Sequence, residues 1–364
     1  MSVHGLVGIN KPSGFTSAQI INQLQQVFKN SPMFRDHIYD NEGKLLKRKR
    51  FQQNMGHGGT LDPLATGVLV VGIGAATKRL GEFLHCSKEY EATALSGGIT
   101  DTYDCEGRIL FRKPYQHITR EKVLTALSQF RGEIMQKPPI YSALKMNGKP
   151  LYDYAREGKE LPKEIAARSV TVESIELTDW NTEHNWPEPE EVVIEDLDSK
   201  NAQIEKVELA QHGKPNLVDE ADSRPQQPEV DQHETTTVDT LTPSSKRLRE
   251  EAEVGEDTHI KLPDDHLNAR PTAQRKIYDK PPAFSIRMTV SSGTYVRSII
   301  HDLGVALGSG AYMVELQRTR QGQFALKQGN VLEWGFWEQD GWEEKIKTLL
   351  EQSHRGKSIP ADEK

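Results

Sequence analysis

The chain has 364 residues, enough for one large domain or two ordinary ones, and its mean hydropathy of −0.65 is low for that length. Its two cysteines cannot build a disulfide framework, which fits a reducing compartment. No run of apolar residues approaches the ~20 needed to span a bilayer, so we predict no membrane segment.

Charge is distributed unevenly along the chain. The formal net charge is −7, but residues 181–275 carry 23 acidic and 10 basic side chains, a net charge of −13, which leaves +6 for the remainder. A basic folded part is compatible with a phosphate-rich partner. Residues 181–280 are rich in Pro, Glu, Asp, Gln and Thr and poor in aromatics, a composition that predicts a disordered acidic insertion.

The first 28 residues predict a strand, a turn and a helix. The strand is the apolar "LVGIN", and "KPSG" marks the turn. Apolar residues at positions 20, 21, 24 and 27 follow helical spacing, with Thr16 or Ser17 as the N-cap. The basic stretch 44–50 that follows predicts a mobile loop, with a solvated surface, a phosphate contact and a nuclear import signal as alternatives.

Strands and helices alternate irregularly along the rest of the chain. Apolar runs and hydrophobic periodicity predict strands at 67–74, 88–100 and 168–177, helices at 76–85 and 119–134, a loop and helix at 138–158, a strand, turn and helix across 281–307, and a strand pair at 312–326. Short turns join several neighbouring strands. This favours an α+β domain with a mixed or antiparallel central sheet flanked by helices over a doubly wound parallel sheet.

The loop "GHGGTLDPLATG", residues 56–67, carries a single carboxylate on a tightly turned backbone. Pro63 disfavours helix at Asp62, while Gly58 and Gly59 permit a sharp turn or the close approach of a ligand. The alternative is an Asx-type turn, in which the Asp62 carboxylate only accepts backbone N–H bonds. No window matches G-x-x-x-x-G-K-[ST], so this is not predicted to be a nucleotide-phosphate loop.

The aspartate loop belongs to an ordered set of five motifs. They are "INKPSGFTS", "GHGGTLDPLATGVLVVGIGAATK", "KEYEATALSGGITDTYDCEG", "PPIYSALKMNGKPLYDYAREG" and "SSGTYVRSIIHDLG". Together they resemble the TruB family of tRNA pseudouridine synthases over residues 4–178 and 282–327, and most closely its eukaryotic, fungal-type members, which modify uridine 55 of the tRNA T-arm. The resemblance implies the pseudouridine synthase fold and an isomerase that uses no cofactor and no metal.

The resemblance also implies roles for individual residues. Asp62 matches the catalytic aspartate, Tyr90 the aromatic that packs on the target base, and Arg297 the arginine that pairs with the carboxylate. The other implied substrate-binding residues are His57, Lys11, Leu316, Tyr141, Lys145 and Arg156. The alternatives are a core aromatic for Tyr90, a surface helix arginine for Arg297, and a turn or core histidine for His57.

The implied organisation is a catalytic domain of residues 1–180 plus 281–330, with an RNA-gripping thumb at about 136–160. The acidic insertion occupies 181–280, and the segment 331–364 is too short for the further RNA-binding domain of bacterial members. We expect a monomer that binds the tRNA T-arm or other RNA with a T-loop-like structure, in the nucleus and mitochondrion, with the cytoplasm as an alternative. The alternative function is a non-catalytic tRNA-binding or tRNA-folding protein on the same fold.

Overall fold

The computed structural model describes residues 4–34, 36–39, 45–49, 54–191 and 280–354, and a ten-stranded mixed sheet runs through these ranges. Residues 192–279, most of the predicted disordered insertion, lie outside them. Across the described ranges, no helix is both long enough and apolar enough to cross a bilayer.

Sixteen strands are found in the described ranges. In chain order they are β1 (Gly5–Lys11), β2 (Asp36–Tyr39), β3 (Leu45–Lys49), β4 (Met55–His57), β5 (Thr66–Ile73), β6 (Lys88–Ser96), β7 (Gly98–Thr100), β8 (Ile109–Arg112), β9 (Gly132–Gln136), β10 (Lys145–Met146), β11 (Lys149–Pro150), β12 (Arg168–Asn181), β13 (Ala283–Val290), β14 (Ala311–Gln321), β15 (Phe324–Ala325) and β16 (Val331–Glu333).

The helices are mostly short. They are α1 (Ser17–Asn30), α2 (Leu80–His85), α3 (Arg120–Leu127), α4 (Leu151–Arg156), α5 (Val296–Ala306) and α6 (Trp342–His354). Single 3₁₀ turns lie at Pro32–Phe34, Gly74–Arg79, Ser128–Phe130, Leu326–Gln328 and Phe336–Glu338.

The large sheet has the strand order β16-β1-β5-β14-β6-β13-β12-β9, with β4 also paired to β5 and β15 to β14. Among these described strands, β1 with β16 and β5 with β14 are parallel, and the other neighbours are antiparallel. The predicted α+β class with a mixed central sheet is therefore confirmed. Helices α1, α3, α5 and α6 pack with this sheet in one large apolar cluster.

Helix α1 shows how local sequence positions the site. Thr16 is the N-cap, and it forms a capping box with Gln19, in which each side chain binds the other residue's backbone N–H. The buried apolar residues of α1, Ile20, Ile21, Leu24 and Phe28, lie on its core face. Because Thr16 caps the helix, the hydroxyl of the buried Ser17 is left to bind elsewhere.

Two predicted loops differ in the structure. The stretch 44–50 contains strand β3, whose antiparallel pairing with β2 satisfies backbone groups that a loop would leave to water. Residues 182–191, part of the segment 181–280 that composition assigns to the insertion, follow β12 and contact β8. Arg112 holds Glu188 and Glu191 at 2.7 and 3.0 Å, and Lys280 donates to the carbonyl of His184 at 2.8 Å.

Candidate active site

The connection between β1 and α1 holds the aspartate loop on both sides of Asp62. The Lys11 Nζ and the Gly14 backbone N–H donate to the carbonyl of Pro63, at 3.1 and 2.9 Å. The Ser17 hydroxyl accepts from the N–H of Leu61 at 2.9 Å and donates to its carbonyl at 3.3 Å. Both neighbours of Asp62 are therefore fixed without use of its carboxylate.

Arg297 pairs with the carboxylate of Asp62 across 235 positions of sequence. Its Nε lies 2.9 Å from Oδ2, and its Nη2 donates to Oδ1 at 3.3 Å. The Arg297 side chain is 5% exposed, which excludes a surface helix arginine, whereas that of Asp62 is 33% exposed. In the described structure no backbone N–H bonds to the carboxylate, so the Asx-turn alternative is wrong. One side of the Asp62 carboxylate meets a guanidinium and the other is open.

A second carboxylate, which sequence reasoning did not single out, meets the same arginine. Arg297 Nη1 lies 3.4 Å from Oδ2 of the buried Asp104 and donates to the Thr102 carbonyl at 2.9 Å. Asp104 also accepts from the Thr102 hydroxyl at 2.6 Å and from the Glu106 N–H at 3.1 Å. Burial raises the pKa of Asp104, and the Arg297 guanidinium opposes that shift. The arginine is therefore held from both sides.

Tyr90 and Leu316 lie on the adjacent strands β6 and β14, 7% and 6% exposed. They share one apolar cluster with Leu61, the residue immediately before Asp62. The apolar cluster that contains this aromatic ring therefore also contains the residue before Asp62. The position of Tyr90 suits both a core aromatic and a ring that presents an edge to a ligand.

His57 ends β4, where the chain enters the aspartate loop. The ring is half-buried, and its Nδ1 has no hydrogen-bond partner among the described residues. Burial, and then the charge of Arg318, lowers the pKa of His57. The imidazole is therefore neutral at physiological pH, and it can fill space without adding charge.

The thumb joins the site through main-chain groups. The Tyr141 carbonyl accepts from Arg297 Nη2 at 3.0 Å, and the Gln136 side chain binds both the N–H and the carbonyl of Tyr295, at 2.8 and 3.0 Å. Of the three predicted thumb residues, Tyr141, Lys145 and Arg156, only Tyr141 bonds to Arg297, the arginine that pairs with Asp62. Lys145 and Arg156 are exposed on the thumb surface, with Arg156 stacked 5.2 Å from the Tyr152 ring.

Lys11 makes the stability of the site dependent on pH. Burial lowers its pKa from 10.5 to about 8, although the charge of Asp62 opposes the shift. Between these two values the unfolded chain binds the proton more tightly, so the contribution of Lys11 to folding increases as the pH rises. We expect the unfolding free energy of the wild type relative to Lys11→Met to be constant below pH 7 and to rise from about pH 8 to 10.5. Urea unfolding at stepped pH measures this difference, and a flat profile would contradict it.

The described residues contain no cluster of three or more His, Cys, Asp or Glu side chains placed to hold a metal ion.

Two protein families match parts of this chain. Residues 47–204 match the family described as TruB family pseudouridylate synthase (N terminal domain), and residues 297–351 match the tRNA pseudouridylate synthase B C-terminal domain. The second match runs from α5 to α6 and so crosses the boundary expected at residue 330.

This chain aligns with similar proteins over nearly its whole length. It is 39% identical to tRNA pseudouridine synthase 4 of Schizosaccharomyces pombe, over 97% of this chain and 87% of that protein. It is 32% identical to tRNA pseudouridine synthase 4 of Saccharomyces cerevisiae, over 100% and 91%. A chain in the crystal structure of a Cbf5-Nop10-Gar1 complex aligns with a TM-score of 0.46 and 21% identity, over 95% of this chain and 59% of that one. On the identity and coverage of these fungal relatives, the chain belongs to the TruB family of pseudouridine synthases.

Proposed function

We propose that this tRNA pseudouridine synthase isomerises uridine 55 in the T-arm, with Asp62 as its catalytic carboxylate. The observation that carries the proposal is the pairing of Asp62 with the buried Arg297, which leaves one side of the carboxylate open. Similarity to two fungal proteins named tRNA pseudouridine synthase 4 supports the reaction and the RNA class.

The reaction needs a single ionised carboxylate beside the ribose. The bond between N1 of uracil and C1′ breaks, the base turns, a bond from C5 to C1′ forms, and the C5 proton is replaced by one on N1. Nothing is oxidised, and the product is an isomer of the substrate. Asp62 acts either by attack on C1′ or by removal of a sugar proton, and both routes require its charged form. Arg297 holds the carboxylate in place, with its Nε 2.9 Å from Oδ2.

The target base must leave its stack to reach Asp62. Flipping costs a few kcal/mol, which stacking on protein side chains and filling of the vacated space offset. We assign the ring of Tyr90 to the flipped uracil and Leu316 to the apolar side of the same pocket. The neutral imidazole of His57 fills the vacated space, since it adds no charge among the neighbouring bases.

Recognition of the RNA rests on shape and phosphate contacts. A T-loop is a compact fold of splayed bases, which proteins recognise by its backbone and exposed bases rather than by reading a helix groove. The thumb presents basic side chains for such contacts, with Lys145 and Arg156 exposed.

Lys145 offers a test of these phosphate contacts. We expect Lys145→Ala to weaken binding of a tRNA transcript and to reduce the slope of log Kd against log salt concentration by about 1, because one phosphate contact is lost. Lys122→Ala, an equally exposed lysine on α3 outside the thumb, is the matched control and should leave the slope unchanged. An unchanged slope in the Lys145 variant would remove this residue from the RNA interface.

The proposed reaction is tested by release of tritium from a tRNA transcript labelled at uridine C5. C5 loses its hydrogen only when the new carbon–carbon bond forms, so release reports isomerisation. We expect release from the normal transcript and none from a transcript with cytidine at position 55 and label at its other uridines. Tight binding without release would instead favour the non-catalytic RNA-binding function.

A further inference from the structure

The side chain of Arg318 bonds to the backbone on both sides of Asp62. It lies in β14, is 1% exposed and is the largest fully buried side chain of the described residues. Its Nε donates to the Val68 carbonyl at 2.7 Å, and its Nη2 donates to the Gly59 carbonyl at 3.2 Å. Gly59 precedes Asp62 and Val68 follows it, so the planar guanidinium bridges the entry and exit of the loop.

The backbone of Arg318 is fixed at the same point. In the sheet register Arg318 lies opposite Tyr90 on β6 and beside Gly67 on β5. Gly67 has φ +101°, and a Cβ there would come within 2.3 Å of the Arg318 carbonyl oxygen. The strand that leaves the loop is therefore pressed directly onto Arg318, and the strand of Tyr90 is bonded to its other edge.

Gln321, three residues further along β14, holds the glycines before Asp62. Its Nε2 donates to the Gly58 carbonyl at 2.6 Å and to the Phe83 carbonyl at 3.0 Å. The Arg318 and Gln321 side chains together form what we call the loop clamp. The donors of this clamp bind backbone carbonyls at both ends of the aspartate loop. They therefore fix where the loop lies relative to the sheet.

The charge of Arg318 distinguishes the clamp from ordinary packing. Arg297 meets two carboxylates, but within the described ranges no carboxylate lies at ion-pair distance from Arg318, and both of its hydrogen-bond partners are carbonyls. Burying a cation without a counter-charge is costly, and a neutral amide can make such bonds, as Gln321 does. The guanidinium differs from a neutral donor in its planar fork, which reaches Gly59 and Val68 together.

We propose that Arg318 is a positioning residue for uridine isomerisation: it holds the loop of Asp62 at a fixed place relative to Tyr90, with Gln321 as the second anchor. The inference rests on the proposed function. Arg318 is buried and does not reach RNA, so it acts through the backbone that carries Asp62. An error of about 1 Å in the placement of a reacting group is enough to lower a rate substantially.

Arg318→Lys tests the clamp, because lysine keeps the charge but replaces the planar fork by one ammonium group. We expect a single-turnover rate at least tenfold lower, with the Kd for a tRNA transcript within threefold of wild type. Hydrogen exchange of peptides covering residues 58–67 should be at least tenfold faster, while β13 peptides exchange at the wild-type rate. Arg287→Lys, an exposed arginine on β13 of the same sheet, is the matched control and should change none of these.

A further variant covers the case in which Arg318→Lys does not fold. Gln321→Met removes the donor to Gly58 and keeps the side-chain length, and we expect the same loop peptides to exchange faster with a rate loss of at least threefold. A merely structural role would not speed exchange of the loop peptides alone.

Several outcomes would overturn the inference. A folded Arg318→Lys protein with the wild-type rate and wild-type loop exchange would do so. So would a rate loss that only tracks the unfolded fraction, with faster exchange throughout the sheet. If the wild type released no tritium, the proposed function would fail, and the exchange of residues 58–67 would still decide whether Arg318 holds the loop.

Discussion

Replacement of Asp62 by asparagine is expected to lower the single-turnover rate of uridine isomerisation by at least about 10³-fold. Asparagine keeps the shape of the side chain but cannot attack C1′ or accept a sugar proton. The fold should persist, because the loop is held through Leu61 and Pro63 and Arg297 keeps Asp104 as a partner. Tritium release under single-turnover conditions measures the rate, and filter binding measures RNA affinity, which should stay within a few-fold of wild type.

Glu82→Gln is the matched control for the loss of one negative charge. Glu82 is an exposed residue of α2 that pairs with Arg79 three positions earlier, so its replacement should leave both rate and affinity unchanged. An Asp62→Asn protein that isomerised uridine at the rate of this control would show that Asp62 is not the catalytic carboxylate.

Replacement of Arg297 by glutamine is expected to reduce both activity and stability. Removing one partner of a buried ion pair typically costs about 3–5 kcal/mol, because the other charge stays buried without compensation. Here that charge is Asp104, whose pKa burial already raises. The rate should fall at least about 10²-fold, since Asp62 loses the group that orients it. Urea unfolding and single-turnover tritium release measure the two effects.

A double variant separates the two effects of Arg297. Adding Asp104→Asn to Arg297→Gln removes the buried carboxylate that has lost its partner. Stability should then recover in part while the rate stays low. Arg297→Lys should cost less stability than Arg297→Gln but still lose rate, because one ammonium cannot reach Asp62, Asp104 and two carbonyls together. Wild-type stability of Arg297→Gln would show that the buried carboxylates do not depend on this arginine.

Local patterns in the sequence were enough to predict the elements that carry the site. An N-cap at Thr16 or Ser17 and the apolar positions that follow predicted helix α1, and the β-branched run after Gly67 predicted strand β5. Pro63 and the paired glycines indicated that Asp62 sits on a turned loop. These are short-range effects, so they can be read from neighbouring residues alone.

The tertiary contacts of the site could not be read in this way. The pairing of Arg297 with Asp62 was expected only from the family resemblance, because spacing along the chain carries no information about a contact across 235 residues. Asp104 and Arg318 were missed for a related reason. Their charges are buried against partners from distant strands and loops, whereas either residue alone looks like an ordinary surface charge.

For strands β2 and β3 and for residues 181–191, the sequence predicted less structure than is found. Both stretches are polar and were assigned to a loop and to an insertion on composition. In the structure, backbone pairing holds the hairpin, and Arg112 and Lys280 hold the polar segment after β12. Composition reports how much apolar surface a segment can bury, and it does not report pairing or ion contacts with the rest of the fold.

Mapping of pseudouridine at single-nucleotide resolution tests the proposed reaction and its target together. An unmodified tRNA transcript is incubated with wild-type protein or Asp62→Asn, treated with a carbodiimide that marks pseudouridine, and read by primer extension. We expect one new stop that reports position 55 with the wild type and none with the variant. A wild-type protein that binds the transcript but leaves no mark would contradict the isomerase, and a mark only at another uridine would contradict the assigned target.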